Sequence, residues 1–371
     1  IRSHASIGIY CGRNEGYPPA NIDKALRQIV KEEHPGLHYI SSSADDVVSG
    51  HGPYRMLPAK TYFTLETGND KFHSERGMPN VMTYESFLRT YSPEGIWPQS
   101  DEWGMHDYTL EGAQGATSFN EIIAQGYGQP QSAKEFTELA QWVNYDGHRS
   151  LFESRSKNRM GLLMWMSHPC WPSMVWQTYD YYFEPTAAYF GIKKACEPLH
   201  IQWNPATDEV EVVNYHAGAH ADLTAHVQVL NMDASVAWES EAKVNSQEDT
   251  TEKCIKLQFP DNLTKVHFIK LTLKEGDRTV SENFYHRSKE ENNYQDLKQL
   301  EKVALQSNLQ YEQDANGEWQ AVVTLENTTS TPALMVRLNI VGAEDGLQFL
   351  PIFYEDNYFA LLPGEKKEVR V

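Results

Sequence analysis

Ile7-Gly-Ile-Tyr-Cys-Gly-Arg-Asn-Glu-Gly-Tyr-Pro-Pro19 is a short apolar run that breaks into a polar loop. Pro18 and Pro19 carry the fixed φ that suits the first turn of a helix. Ile22, Leu26, Ile29 and Val30 then recur at helical spacing, which predicts a helix over Asp23–Glu33. The unit is therefore strand, loop, helix, and it recurs along the first 200 residues. Leu37-His-Tyr-Ile-Ser is a second strand candidate, and Lys71-Phe-His-Ser a third that ends at Glu75. Thr83–Tyr91 reads as a helix. Ala133–Ser154 reads as a long amphipathic one, with Phe136, Leu139, Ala140, Val143, Leu151 and Phe152 largely on one side. Gly161-Leu-Leu-Met-Trp-Met is a buried strand, and Pro185–Ala195 a last helix. Strands alternating with helices imply a parallel sheet with crossovers. In the barrel version of that plan, chemistry sits where strands end and loops begin. Glu15 and Glu75 both stand at such ends.

Beyond Pro198 the texture changes. Glu209–Tyr215, Leu223–Leu230 and Val266–Leu273 alternate with period two, separated by turn residues at sandwich-like intervals. A charged stretch at Ser288–Asp296 precedes a second strand-rich segment, which includes Trp319–Leu325 and Ala333–Ile340 and ends in Leu362-Pro-Gly-Glu-Lys-Lys-Glu-Val. Three domains are expected: an α/β unit over 1–198 and two β-sandwiches over 199–290 and 291–371.

The 51 acidic and 32 basic side chains leave a net charge of −19. Such a surface repels phosphate backbones and no basic stripe offsets it, so nucleic acid is not expected as a partner. No stretch approaches the roughly 18 apolar residues of a membrane-spanning helix. Cys11, Cys170, Cys196 and Cys254 form no Cys-x-x-Cys pair and no metal-ligand spacing, so they read as packed thiols rather than a zinc site. The compartment stays open, with periplasm or secretion the expectation for a bacterial source. Aromatic residues make up 12% of the chain, with 9 Trp and 20 Tyr. They suit either a large aromatic core or the stacking of sugar C–H faces. The chain opens on Ile1 without an initiator Met, so it is expected to begin inside a longer protein.

Two carboxyl groups flanking one bond are what glycoside hydrolysis requires. Glu15 and Glu75 qualify by their strand-end positions among polar and aromatic neighbours, although position alone does not say which is acid and which nucleophile. A dehydrogenase-like reading fails because no Gly-x-Gly-x-x-Gly follows any strand.

Arg2-Ser-His-Ala-Ser-Ile-Gly-Ile-Tyr-Cys-Gly-Arg-Asn-Glu15 resembles the fourth-strand motif of glycoside hydrolase family 2, and Phe72-His-Ser-Glu75 its seventh-strand motif. Gly161–Tyr182 looks like the eighth strand and its loop. Ala188–His200 and Ser49-Gly-His-Gly-Pro-Tyr54 are similar to the branch holding exo-β-glucosaminidases and mannosylglycoprotein endo-β-mannosidases. The resemblance implies strands four to eight of a (β/α)8 TIM barrel followed by two immunoglobulin-like sandwiches. Strands one to three and the amino-terminal domains would be supplied by a missing portion of the same enzyme. It implies Glu75 as nucleophile and Glu15 as general acid/base, about 5 Å apart as in retaining enzymes. Asn14 would hold the 2-hydroxyl and Trp165 would floor the sugar site, with Trp171 and Tyr54 as further substrate contacts. Trp176 and Tyr179–Tyr182 read as packing. His51, His73 and His168 have no ligand-like spacing, and neither metal nor cofactor is expected. Exo-glucosaminidases often have Ser-Asp where this chain has Asn14-Glu15, so mannoside and galactoside stand beside glucosaminide as substrates. The other reading is an inactive carbohydrate-binding or scaffold fragment, because five strands do not close an eight-stranded barrel.

Overall fold

The computed structural model describes residues 3–64, 71–108, 116–156, 160–313 and 316–371; Arg2 lies outside them. Five short strands alternate with seven helices in the first half of the described chain. They run β1 (Ile9–Cys11), α1 (Ala20–Glu33), β2 (His38–Ile40), β3 (Val48–Ser49), α2 (Ala59–Thr64), β4 (Phe72–Arg76), α3 (Tyr84–Thr90), α4 (Asp101–Met105), α5 (Ala116–Tyr127), α6 (Ala133–Glu153), β5 (Leu162–Met164) and α7 (Ala187–Ala195). All the pairings are parallel: β1 with β2 in one sheet, and β3-β4-β5 in another. Among the described residues β1 pairs only with β2, and Ile9 is 40% exposed.

Helix α6 organises this half. Ser132 caps it, its hydroxyl accepting from the Glu135 N–H at 3.1 Å, while the Glu135 carboxylate accepts from the Gln131 N–H at 2.8 Å. Two orphan donors of the first turn region are thereby satisfied. Phe136, Ala140 and Val143 join Phe87, Trp103, Tyr108, Phe119 and Ile123 in an aromatic-rich core. On another face α7 crosses α6 so closely that a Cβ on Gly191 would meet the Tyr145 carbonyl oxygen at 2.4 Å. Only glycine allows that approach.

The second half is all β. Strands β6 (Leu199–Asn204), β7 (Glu209–Asn214) and β10 (Thr250–Lys256) form an antiparallel sheet. It faces a sheet of β8 (His220–Asn231), β9 (Val236–Ser246), β11 (Val266–Glu275) and β12 (Arg278–Ser288), in the order β12-β11-β8-β9. Alternate residues such as Val227, Val229, Ile269 and Leu271 fill the space between them with Ile201 and Val212. Then β13 (Gln306–Gln313), β14 (Trp319–Glu326) and β17 (Lys366–Arg370) form one sheet, and β15 (Ala333–Val336) and β16 (Phe359–Leu361) another. The strand expected over Ala333–Ile340 is regular only to Val336. Beyond it the Leu338 N–H donates to the Asn357 side chain instead of a strand partner. Asn327, which fits a glycosylation triplet, is fully buried and donates to the carbonyls of Thr331 and Leu361. Cys11, Cys170 and Cys196 are exposed free thiols rather than packed ones.

A buried polar seam joins α6 to the first sandwich. Arg149 donates to Asp146 at 2.7 Å and to Asn283 at 2.8 Å, and Arg287 reaches Asp146 at 3.1 Å. Glu153 accepts from Tyr285 at 2.9 Å and from Asn283 at 2.8 Å, and lies 3.2 Å from His200. Burial alone would raise the Asp146 carboxyl, but Arg287 and Arg149 hold it well below the usual carboxylate range. Two histidines nearby stay neutral: burial pushes His148 down to about 4 and His286 down to about 3. An unfolded histidine titrates near 6.5, so between that value and the folded ones the unfolded chain binds more protons. Their contribution is present above about pH 6.5 and is lost as pH falls. His200 works in reverse. Burial lowers it, but Glu153 and Glu197 raise it more, so its contribution is intact below about 6.5 and lost at higher pH. The melting temperature is therefore expected to fall by about 5 °C or more between pH 6.5 and 4.5, followed by circular dichroism. A flat profile across that window would refute the buried neutral histidines.

Candidate active site

The end of β1 leaves its sheet through Asn14 and Glu15. Glu15 takes a φ of 50°, in the left-handed region that a residue with a Cβ occupies at a cost. Three contacts hold it there. The Glu15 N–H donates to Ser43 Oγ at 2.8 Å, that hydroxyl donates to Asn14 Oδ1 at 3.3 Å, and the Ser43 N–H donates to the Arg13 carbonyl at 3.0 Å. Ser43 lies just beyond β2, and its own carbonyl accepts from the Ser74 hydroxyl on β4. The two parallel sheets are thus tied together beside Glu15 and Glu75.

Tyr54 comes from the loop between β3 and α2. Its hydroxyl touches three acceptors: Glu75 Oε1, Glu15 Oε1 at 3.3 Å and the Gly50 carbonyl at 3.0 Å. Burial, and then the Glu75 carboxylate, push the phenol far above its usual value, so it stays protonated as a donor. Because both carboxylates contact one oxygen, two of their oxygens lie within two hydrogen-bond lengths, about 6 Å. His51 Nδ1 stands 3.8 Å from Glu15 Oε1. Beneath the loop, buried Arg76 donates through Nε to the Gly52 carbonyl at 3.0 Å. Burial lowers that guanidinium to about 10.

Trp165 follows β5, its N–H donating to the Arg76 carbonyl at 2.8 Å, and its side chain is 44% exposed. A Cβ on Gly77 would meet the Trp165 carbonyl oxygen at 2.0 Å, so a side chain there would displace the backbone that carries the indole. Trp176 packs on the aromatic core as expected, and it also meets the Tyr54 ring edge-on with centroids 5.4 Å apart. Trp171 stacks on His106 at 5.6 Å, and among the described residues no hydrogen bond or ring contact joins it to either glutamate. The structure therefore brings together Asn14, Glu15, Tyr54 and Glu75, places Trp165 just past the neighbouring strand β5, and leaves Trp171 on a separate support.

Sequence reasoning missed Ser43, Ser74, His51 and Trp176 as members of this cluster. Ser74 and His51 lay inside motifs already singled out for other residues. Trp176 also lay inside such a motif, where it read as packing, and Ser43 carries no local signal, since it acts through partners distant in the chain. Cavities of about 210 Å³ and 620 Å³ open where the α/β half meets the sandwiches, and neither is lined by Glu15 or Glu75. The chemical capacity lies with the carboxylates, which converge on one hydroxyl.

The model of the exo-β-D-glucosaminidase Ig-fold domain matches residues 283–371. The exo-β-D-glucosaminidase of Streptomyces avermitilis is 26% identical, over 100% of this chain and 46% of its own length. The mannosylglycoprotein endo-β-mannosidase of Lilium longiflorum is 23% identical, over 100% of this chain and 50% of its own. The crystal structure of the exo-chitosanase CsxA of Amycolatopsis orientalis superposes with a TM-score of 0.90 at 23% identity, covering 100% of this chain and 49% of that one. The β-D-mannosidase of Dictyoglomus thermophilum superposes at 0.78 with 18% identity, covering 46% of that chain. The chain spans about half the length of the curated relatives it matches. In motif, fold and relatives together the chain is similar to glycoside hydrolase family 2, in the branch of the exo-β-glucosaminidases and β-mannosidases.

Proposed function

We propose that this chain carries the catalytic pair of a retaining β-glycosidase, with Glu75 as nucleophile and Glu15 as general acid/base. The observation that supports it is the single Tyr54 hydroxyl in contact with both carboxylates. A shared contact bounds two of their oxygens to within about 6 Å, which favours the roughly 5–5.5 Å of retaining enzymes over the about 6.5–9.5 Å that leaves room for water in inverting ones. Glu75 attacks the anomeric carbon while Glu15 gives its proton to the departing oxygen. Glu15 then takes a proton from water, which displaces Glu75 with net retention. A hydroxyl has one proton and cannot donate to both carboxylates at once. Asn14 holds the 2-hydroxyl, and Trp165 offers an apolar face to the sugar.

The substrate is a β-linked terminal sugar: mannoside, glucosaminide or galactoside. The names of the relatives favour the first two. Strands β1–β5 act as strands four to eight of a (β/α)8 barrel, a reading supported by their parallel register and helix alternation. The side of β1 that pairs with no strand among the described residues and the exposed Ile9 support completion of that barrel by polypeptide outside these 371 residues. On this reading the catalytic part runs over 1–198 and the two sandwiches over 199–290 and 291–371. The 371 residues alone are expected to hydrolyse nothing measurable.

Assayed in the completed protein, Glu75→Gln is expected to abolish turnover of aryl β-glycosides. Glu15→Ala should retain activity only on substrates with activated leaving groups, and azide should rescue it as a β-glycosyl azide. Near-wild-type rates for both variants on an unactivated substrate would overturn the assignment. Wild-type inactivity on every β-glycoside would favour the scaffold reading. Tyr54→Phe removes the shared donor and should lower kcat by about 10²-fold, with the fold checked by near-ultraviolet circular dichroism. A loss under threefold would show that the hydroxyl does not serve the pair.

A further inference from the structure

The segment from Met166 to Thr186, between β5 and α7, carries Trp176 to the edge of Tyr54. It folds back on itself: the Met166 N–H donates to the Trp176 carbonyl at 3.1 Å, and the Thr178 N–H to the Met166 carbonyl at 3.2 Å. Its far end is a tight turn in which Asp180 Oδ1 accepts from the N–H groups of Tyr182 and Glu184, at 2.9 and 3.0 Å. Glu184 in that turn is 1% exposed.

The partner of this buried carboxylate comes from the last sandwich. Arg337, just beyond β15, donates through Nη2 to Glu184 Oε1 at 2.8 Å and through Nη1 to Glu85 Oε2 on α3, also at 2.8 Å. Gln348 donates to the other Glu184 oxygen at 3.1 Å, and Asn339 donates to Glu85 at 3.3 Å. One guanidinium therefore pins two elements at once. These are α3, which follows the strand bearing Glu75, and the turn that ends the Trp165–Trp176 segment. Arg337 is the one cation these contacts offer to two carboxylates, and removing it would leave Glu184 buried and unpaired, a change far more damaging than loss of an exposed ion pair.

We infer that Arg337 is a positioning residue for the catalytic pair, through which the last sandwich sets Trp176, and by it Tyr54, against Glu15 and Glu75. The reading rests on the proposed function for its kinetic consequence and on the contacts alone for its structural one. The charged and titratable neighbours of Glu184 are Arg337 and Glu85, then Asp180 in its own turn, with Tyr354 and Tyr358 from the sandwich. Burial outweighs the attraction of Arg337 and pushes Glu184 up to about 7. The turn has a second support: Tyr182 lies under the Arg89 guanidinium at 3.9 Å and contacts Thr90 at 3.2 Å. Loss of Arg337 should therefore loosen the turn without unfolding α3.

The test compares Arg337→Met, Arg337→Lys and the near-isosteric Glu184→Gln in the full-length protein. Amide exchange over residues 166–184, read by mass spectrometry without substrate, should accelerate by about 10-fold in Arg337→Met and less in Arg337→Lys. With an aryl β-glycoside, kcat should fall by about 10- to 100-fold in Arg337→Met with KM changed less than threefold, and Arg337→Lys should recover part of it. Unchanged exchange, or faster exchange with unchanged kcat, would overturn the inference. Should Arg337→Met fail to fold, Glu184→Gln decides by the same two readouts. A wild type that turns over no glycoside while the exchange result holds would sink the proposed function and leave the contact network standing.

Discussion

Two carboxylates from strands of different sheets must reach one hydroxyl, and the surrounding structure is arranged to hold that meeting in place. Glu15 is delivered by β1 in a left-handed conformation, Glu75 by β4, and Tyr54 by a loop that crosses both. Each is fixed from behind. Ser43 ties the end of β1 to β2 and, through Ser74, to β4. Arg76 fixes the Tyr54 loop from below, and Trp176 limits the Tyr54 ring from the side. Side-chain placement within about half an ångström is what catalytic geometry demands, and locked neighbours supply it better than the loops themselves.

The supports of the site extend into the sandwiches by way of charge. Asp146, Arg149, Glu153 and Arg287 lie between α6 and the first sandwich, and Glu85, Glu184 and Arg337 between the α/β half and the last one. Buried ions gain little over apolar packing when complete, yet removing one partner costs about 3–5 kcal/mol. They also fix orientation, because a guanidinium satisfied on two sides tolerates little sliding. An apolar junction of the same area would hold the sandwiches as firmly but would orient them less.

What the sequence made legible was the part written in local pattern. Apolar runs ending in Asn14-Glu15 and Ser74-Glu75 marked two strand ends, and period-two alternation in Val266–Leu273 marked a sandwich strand. Strand β3 escaped notice because two residues make no pattern, and α2, α4 and α5 because short or glycine-bearing helices lack a clear apolar stripe. Trp171 illustrates another limit. The sequence suggests it as a sugar contact, and its ring stacks on His106, a contact between residues 65 apart that no local signal records. Tyr54 gained weight only when its hydroxyl proved to lie between the two glutamates.

Backbone strain at the site and dense bonding in the α6 seam explain why the two should respond differently to substitution. At the site, Glu15 holds a left-handed backbone, and beneath it Arg76 Nη1 is buried with no partner among the described residues. Along the α6 seam, Asn283, Tyr285 and Glu153 satisfy one another several times over, although Arg149 Nε and His148 Nε2 have no partner among the described residues. Local strain and unmet polar groups persist only where neighbouring structure over-determines them. The densely bonded seams are that neighbouring structure. Substitutions in the α6 seam should therefore lower stability first and activity second, whereas changes at Tyr54 or Trp176 should reverse that order.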